Sequence, residues 1–169
     1  VGGYGFRHVN DQGVIGWESC RMNGVGFYGT LESPKLRNLF AELSTDLYFA
    51  TAQPQQEGLD RISLHTLAVG GVRMFPGWLI SPNIHVGGGV EYTWVELYGN
   101  RDQRVAPVAL MGIGGELNIK KLAFGISIRS NLMQLPNYDW QPDSQATTQE
   151  LDYQTEVAGQ MLFSVRYAM

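Results

Sequence analysis

Residues 38–52, NLFAELSTDLYFATA, alternate two kinds of side chain. Leu39, Ala41, Leu43, Thr45, Leu47 and Phe49 fall on one face of an extended chain and Glu42, Ser44, Asp46 and Tyr48 on the other, because successive strand side chains point to opposite sides. What the apolar face meets, whether a core or lipid, decides the fold.

The same reading extends along the chain. Turn chemistry divides it into eight extended stretches, 1–9, 24–32, 38–52, 61–75, 83–99, 105–119, 121–134 and 153–169, and helical periodicity is sustained nowhere. The connectors are NDQGVIGWESCRMN, SPKLR, AQPQQEGLD, PGWLISPN, NRDQR, a tight turn at Lys120 and Lys121, and LPNYDWQPDSQATTQELD. In an up-and-down arrangement the odd-numbered connectors share one end, and they include the two longest. The even-numbered ones share the other end. Residues 1–169 are expected to form a single domain, as their length suggests.

In each stretch one face carries no charge. Val25, Phe27 and Leu31 form it in the second; Ile62, Leu64, Val72 and Met74 in the fourth; Ile84, Val86, Val90, Tyr92 and Trp94 in the fifth. Met111, Ile113, Leu117 and Ile119 continue it in the sixth, Leu122, Phe124, Ile126, Ile128 and Leu132 in the seventh, and Val157, Phe163, Val165 and Tyr167 in the last. Tyr4 and Phe6 represent the first. Arg7, Glu42, Asp46, Arg73, Glu91, Glu116, Arg129, Glu156 and Arg166 all lie on the opposite face. A charge at the bilayer midplane of a barrel costs roughly 2–4 kcal/mol, so a lipid-facing surface must be purged in this way and a wet one need not be.

Composition points in the same direction. Charged residues are 17% of the chain, below the roughly 25% of soluble domains, and glycines number 21. Net charge is −4, which offers no basic field for nucleic acid. No run of about 18 apolar residues exists, so no spanning helix is expected, whereas spanning strands need only about 9–11 residues. An exported precursor would have lost its signal peptide before Val1. Cys20 is the one cysteine, without an internal disulfide partner, and no Cys/His spacing resembles a zinc site, so neither metal nor cofactor is expected.

The alternative is a soluble ligand-binding barrel of the lipocalin kind, with the apolar face inside. Its Gly-x-Trp element is not matched, since Gly16 and Trp17 are adjacent. Volume also opposes it: eight strands enclose just enough room for side chains, and bulky apolar residues from every strand overfill that space. The fold class expected is therefore all-β, a closed antiparallel up-and-down transmembrane barrel of eight strands. The alternating strands, the uneven connectors and the final strand VAGQMLFSVRYAM, with Phe163, Val165 and Tyr167 on one face, resemble the small OmpA/OmpX-type outer-membrane barrels. The resemblance implies a bacterial outer-membrane location.

With the polar face inside, its ions must be paired, because a lone buried charge costs several kcal/mol. Arg7, Glu42, Asp46, His65, Arg73, Glu91, Glu116, Arg129, Glu156 and Arg166 are the candidates for a lumen ionic network. Arg73 is expected to reach Glu42, Arg166 to reach either the neighbourhood of Arg7 or Glu116 across the lumen, and Arg129 to bridge Glu91 and Glu116. Such a lattice predicts a plugged lumen and no wide pore. Ser63, His65, Glu42 and Asp46 can be sketched as nucleophile, base and orienter of a lipid-modifying enzyme. Ser63 and His65 lie two apart on one strand, however, so their side chains run parallel, and no catalytic role is expected.

Two surface features suggest partners. Ala68, Gly70, Gly88 and Gly115 leave a smooth strip on the lipid side, where another backbone can approach closely. The last long connector carries Tyr138 and Trp140, aromatics of the kind that mark contact sites. The expected partners are outer-membrane lipid, lipopolysaccharide and another envelope protein, in a structural or partner-binding role.

Overall fold

The computed structural model describes residues 2–13, 21–33, 35–51, 59–136 and 150–168. They form eight strands: β1 (Gly2–Gly13), β2 (Arg21–Glu32), β3 (Leu39–Thr51), β4 (Leu59–Arg73), β5 (Ile80–Leu97), β6 (Asn100–Ile119), β7 (Leu122–Pro136) and β8 (Tyr153–Ala168). Each pairs antiparallel with the next, and β8 closes on β1. No edge strand is left, which suits a sheet immersed in hydrocarbon.

The register fixes the shape. From Gly2 the partners run through Leu31, Ala41, Gly70, Val86, Met111, Ser130 and Gly159 to Gln12, ten residues from the start. A stagger of about 33 Å around eight spacings of about 4.8 Å tilts the strands by about 40°.

That geometry settles which face is outside. Leu43, Ile126 and Phe163 are 64%, 50% and 48% exposed, and Leu39, Phe49, Phe124, Ile128, Val157 and Val165 of the same faces are exposed with them. Ser44, Asp46, Ser63, His65, Glu91 and Arg129 are buried in the lumen. The inside-out arrangement of a soluble ligand-binding barrel is thereby excluded.

The interior corrects one expectation. It is not polar throughout: Leu67, Val69, Val108, Leu110, Met133 and Ala158, from β4, β6, β7 and β8, pack together as an apolar tier. Glycine at inward positions of the wall makes room for large neighbours. A Cβ at Gly5 would stand 2.7 Å from the Tyr28 ring, and one at Gly71 would stand 2.5 Å from Phe40.

Strand boundaries differ from the sequence reading at several ends. The paired strands β1 and β2 extend into the first connector, and β6 begins at Asn100, so NRDQR is strand. The β5–β6 reversal is the two-residue turn Tyr98–Gly99, both with positive φ (50° and 80°), as a primed hairpin turn requires. At the other end, the β4–β5 turn is tied down by Asn118. Its backbone N–H donates to Leu79 O (2.8 Å), and its amide donates to Trp78 O and Ser81 Oγ (both 3.0 Å). Asn118→Ala removes both amide bonds and is expected to cost about 1 kcal/mol, visible as a lower urea midpoint for the protein folded in vesicles.

Candidate functional site

The inward face gathers its charges into two tiers, with the apolar tier between them. The lower one, at the short-turn end, is a closed ring of alternating sign. Arg73 meets Glu32 at 2.5 Å and Glu116 at 3.1 Å, and Arg166 meets the same two carboxylates at 3.1 and 2.9 Å. Each guanidinium fork spans two carboxylates, which a lysine could not do with the same directionality. The Phe40 ring lies 5.2 Å from Arg73 Cζ.

One step higher, Arg129 donates through Nη2 to Glu42 (3.0 Å) and through Nε to His85 Nε2 (3.1 Å). A lone pair must stand on Nε2 to accept that bond, so the ring proton sits on Nδ1, which lies 3.0 Å from Asn83 Oδ1. Gly112 leaves the space for this contact, since a Cβ there would come within 2.6 Å of His85 Nε2. The hollow beside these groups is small, about 40 Å3, and is lined also by Tyr28 and Ser164.

Above the apolar tier, Glu91 is the hub. Arg61 pairs with it, Thr93 Oγ1 donates to it at 2.7 Å, and His65 Nε2 lies 3.5 Å away. Arg61 Nε also donates to Ser63 Oγ at 3.0 Å, and Ser63 shares a 3.2 Å hydrogen bond with Thr93. The Tyr48 ring lies tilted against the imidazole, with ring centroids 4.3 Å apart. Asp46 is fully buried and sits beside His65 in the register.

The sequence-derived pairings need correction here. Arg73 bonds Glu32 and Glu116 rather than Glu42. Arg129 belongs with Glu42 and His85 rather than with Glu91, which pairs with Arg61. Arg166 meets Glu116 across the lumen. Glu32, Arg61, His85 and Asn83 are members that the sequence reading left out. Strand parity held the signal for the first two, since Glu32 follows Tyr28 and Thr30 inward and Arg61 precedes Ser63 and His65. The side chains of Arg7 and Glu156, and the whole of Tyr138 and Trp140, lie outside the described residues.

Ser63 and His65 are both buried, and Ser63 is engaged by Arg61 and Thr93, so the sketched nucleophile and base do not bond each other. On the outer wall Ala68, Gly88 and Ala109 form a cross-strand row of small residues, and Gly70 lies diagonal to it. Gly115 does not join them; it pairs with Pro82 and Ile126 nearer the short turns. Among the described residues no cluster of three or more metal-ligating side chains occurs.

No family model matches the chain, and no curated protein matches it. Solved structures do. Neisserial surface protein A aligns over 99% of this chain and 96% of its own, with a TM-score of 0.70 at 10% identity. The chain has the fold of the small eight-stranded outer-membrane barrels. Ail, the attachment invasion locus protein of Yersinia pestis, matches with a TM-score of 0.57 at 12% identity over 98% of this chain and 95% of its own. The outer membrane enzyme PagL matches with 0.55 at 11% identity over 98% and 99%. PagL overturns one expectation drawn from the sequence. An enzyme is built on this same barrel, so the absence of catalysis does not follow from the architecture.

Proposed function

We propose that the chain is a structural or partner-binding component of the bacterial outer membrane, with a lumen plugged by its own side chains. The observation that carries this reading is the stack of three tiers: the Arg73–Arg166 ring, the Leu67–Leu110–Met133 layer and the Arg61–Glu91 hub. Each tier draws side chains from several strands toward the axis, and an eight-stranded barrel has little further room. The exposed apolar belt supports lipid as the first partner. The long-connector end is the side that faces lipopolysaccharide, and the Ala68–Gly88–Ala109 row suits close approach by another envelope protein.

Planar-bilayer recording tests the plug. The purified barrel is expected to give no steady openings of porin size, and regular steps of that size would show that the lumen is open. Removing the lower ring with Arg73→Ala and Arg166→Ala is expected to add at most brief, ion-sized events, because the apolar tier remains.

A further inference from the structure

At the short-turn end, the exposed charges among the described residues are all positive. Lys35 and Arg37 stand in the β2–β3 connector, and Lys120 and Lys121 form the β6–β7 turn. The carboxylates of that end, Glu32 and Glu116, turn into the lumen onto Arg73 and Arg166. Between the cations Leu36, Phe75, Trp78 and Leu79 are exposed. Aromatic and aliphatic side chains among cations suit a membrane–water interface.

Above each basic turn the outer wall is hollowed. Over Lys120 and Lys121, the isoleucines Ile84, Ile113, Ile126 and Ile128 surround Gly115 in a hollow of about 360 Å3. A methyl group built on Gly115 would meet nothing within 4 Å, so the chain's own packing does not require glycine there. Over Lys35 and Arg37, Tyr4, Phe27 and Leu43 surround Gly29 in a hollow of about 520 Å3. β2 and β6 stand opposite each other in the ring of eight, so the two hollows lie on opposite walls.

The sequence spacing is similar on both sides. Gly115 lies five residues from Lys120, and Gly29 six from Lys35. At about 3.3 Å per residue and a 40° tilt the five residues from Gly115 give a height of about 13 Å, within one leaflet of a hydrocarbon core about 30 Å thick, and Gly29 stands three residues above Glu32, the end of β2. Each hollow therefore sits at the depth an acyl chain reaches when its headgroup is level with the cations. Lys121 is held at that level against Tyr167, its Nζ 5.7 Å from the ring centroid.

We propose that each basic turn and the hollow above it form a seat for an anionic phospholipid of the leaflet facing the short turns. The phosphate rests on Lys120 and Lys121, or on Lys35 and Arg37, and one acyl chain fills the hollow over Gly115 or Gly29. Charge complementarity selects an anionic headgroup over a zwitterionic one, and the hollows continue the lipid-facing belt. This inference rests on the membrane reading above.

The test is to fold the protein into phosphatidylcholine vesicles holding a minor share of phosphatidylglycerol, extract it gently and identify retained lipids by native mass spectrometry. Phosphatidylglycerol is expected to be enriched several-fold, up to two molecules per barrel. Lys120→Gln with Lys121→Gln should remove one, and Lys35→Gln with Arg37→Gln the other. Gly115→Phe fills its hollow from open space and should remove the first while leaving every charge in place. Retention of the two lipids in the proportion the vesicles hold them, or enrichment unchanged in either charge variant or in Gly115→Phe, overturns the seats. Heat-modifiable mobility on a gel reports whether each variant is folded. A chain that never enters the vesicles overturns the membrane reading, and the seats with it.

Discussion

Replacing Arg61 by alanine lowers the unfolding free energy by about 3–5 kcal/mol, the largest loss expected of any single substitution in the lumen. Arg61 and Glu91 are both fully shielded from solvent and in direct contact. Truncating the guanidinium leaves the carboxylate in a place where water cannot replace it, with Thr93 and His65 as its remaining neighbours. The loss measures that stranded charge, not the worth of the pair. Removing both partners in the double variant Arg61→Met, Glu91→Leu should therefore restore most of it, to within about 1 kcal/mol of the parent. Urea unfolding of vesicle-embedded protein, followed by tryptophan emission, reads the four corners of the cycle: the parent, Arg61→Met, Glu91→Leu and the double variant. If the single and double variants lose equally, the hub is not coupled and the upper tier holds together by packing alone.

The faces of the strands were legible because lipid and lumen impose opposite demands on neighbouring residues, and a period of two records that directly. Leu43, Ile113 and Phe163 could be placed outside from parity alone. The apolar tier could not. Leu67, Val69, Val108 and Leu110 point inward from strands whose outward neighbours, such as Ala68 and Ala109, are apolar too, so alternation disappears where the tier forms. The ends of β5 and β6 were misread for the converse reason. Asn100–Arg104 is polar on both faces, and a ladder with water on both sides resembles a loop. Ion pairing depends on cross-lumen geometry that one strand does not record. Arg129 on β7 meets Glu42 on β3, 87 residues away in the chain. Glu32 and Arg61 were within reach, because they are the terminal residues of the stretches 24–32 and 61–75 and share the inward parity of Thr30 and Ser63.

A depth series along β6 separates lipid from water as the neighbour of the apolar face, with an effect nearly as large as the loss of Arg61. Ile113, Leu117 and Ile119 all point outward and are exposed. They lie seven, three and one residues from Lys120, which at about 3.3 Å per residue and 40° of tilt places them roughly 18, 8 and 3 Å above the turn. Arginine at the bilayer midplane costs about 2–4 kcal/mol and near the interface about 0–1 kcal/mol. Ile113→Arg should therefore destabilise the vesicle-embedded barrel by about 2–4 kcal/mol, Ile119→Arg by less than about 1, and Leu117→Arg by an amount between. A surface in water gives no such gradient, because an exposed arginine is solvated equally well at each of the three positions. The ordering of the three unfolding free energies is thus the decisive measurement. Flat values would mean that water, not hydrocarbon, covers this face, and the match between the Gly115 hollow and one leaflet's depth would lose its meaning.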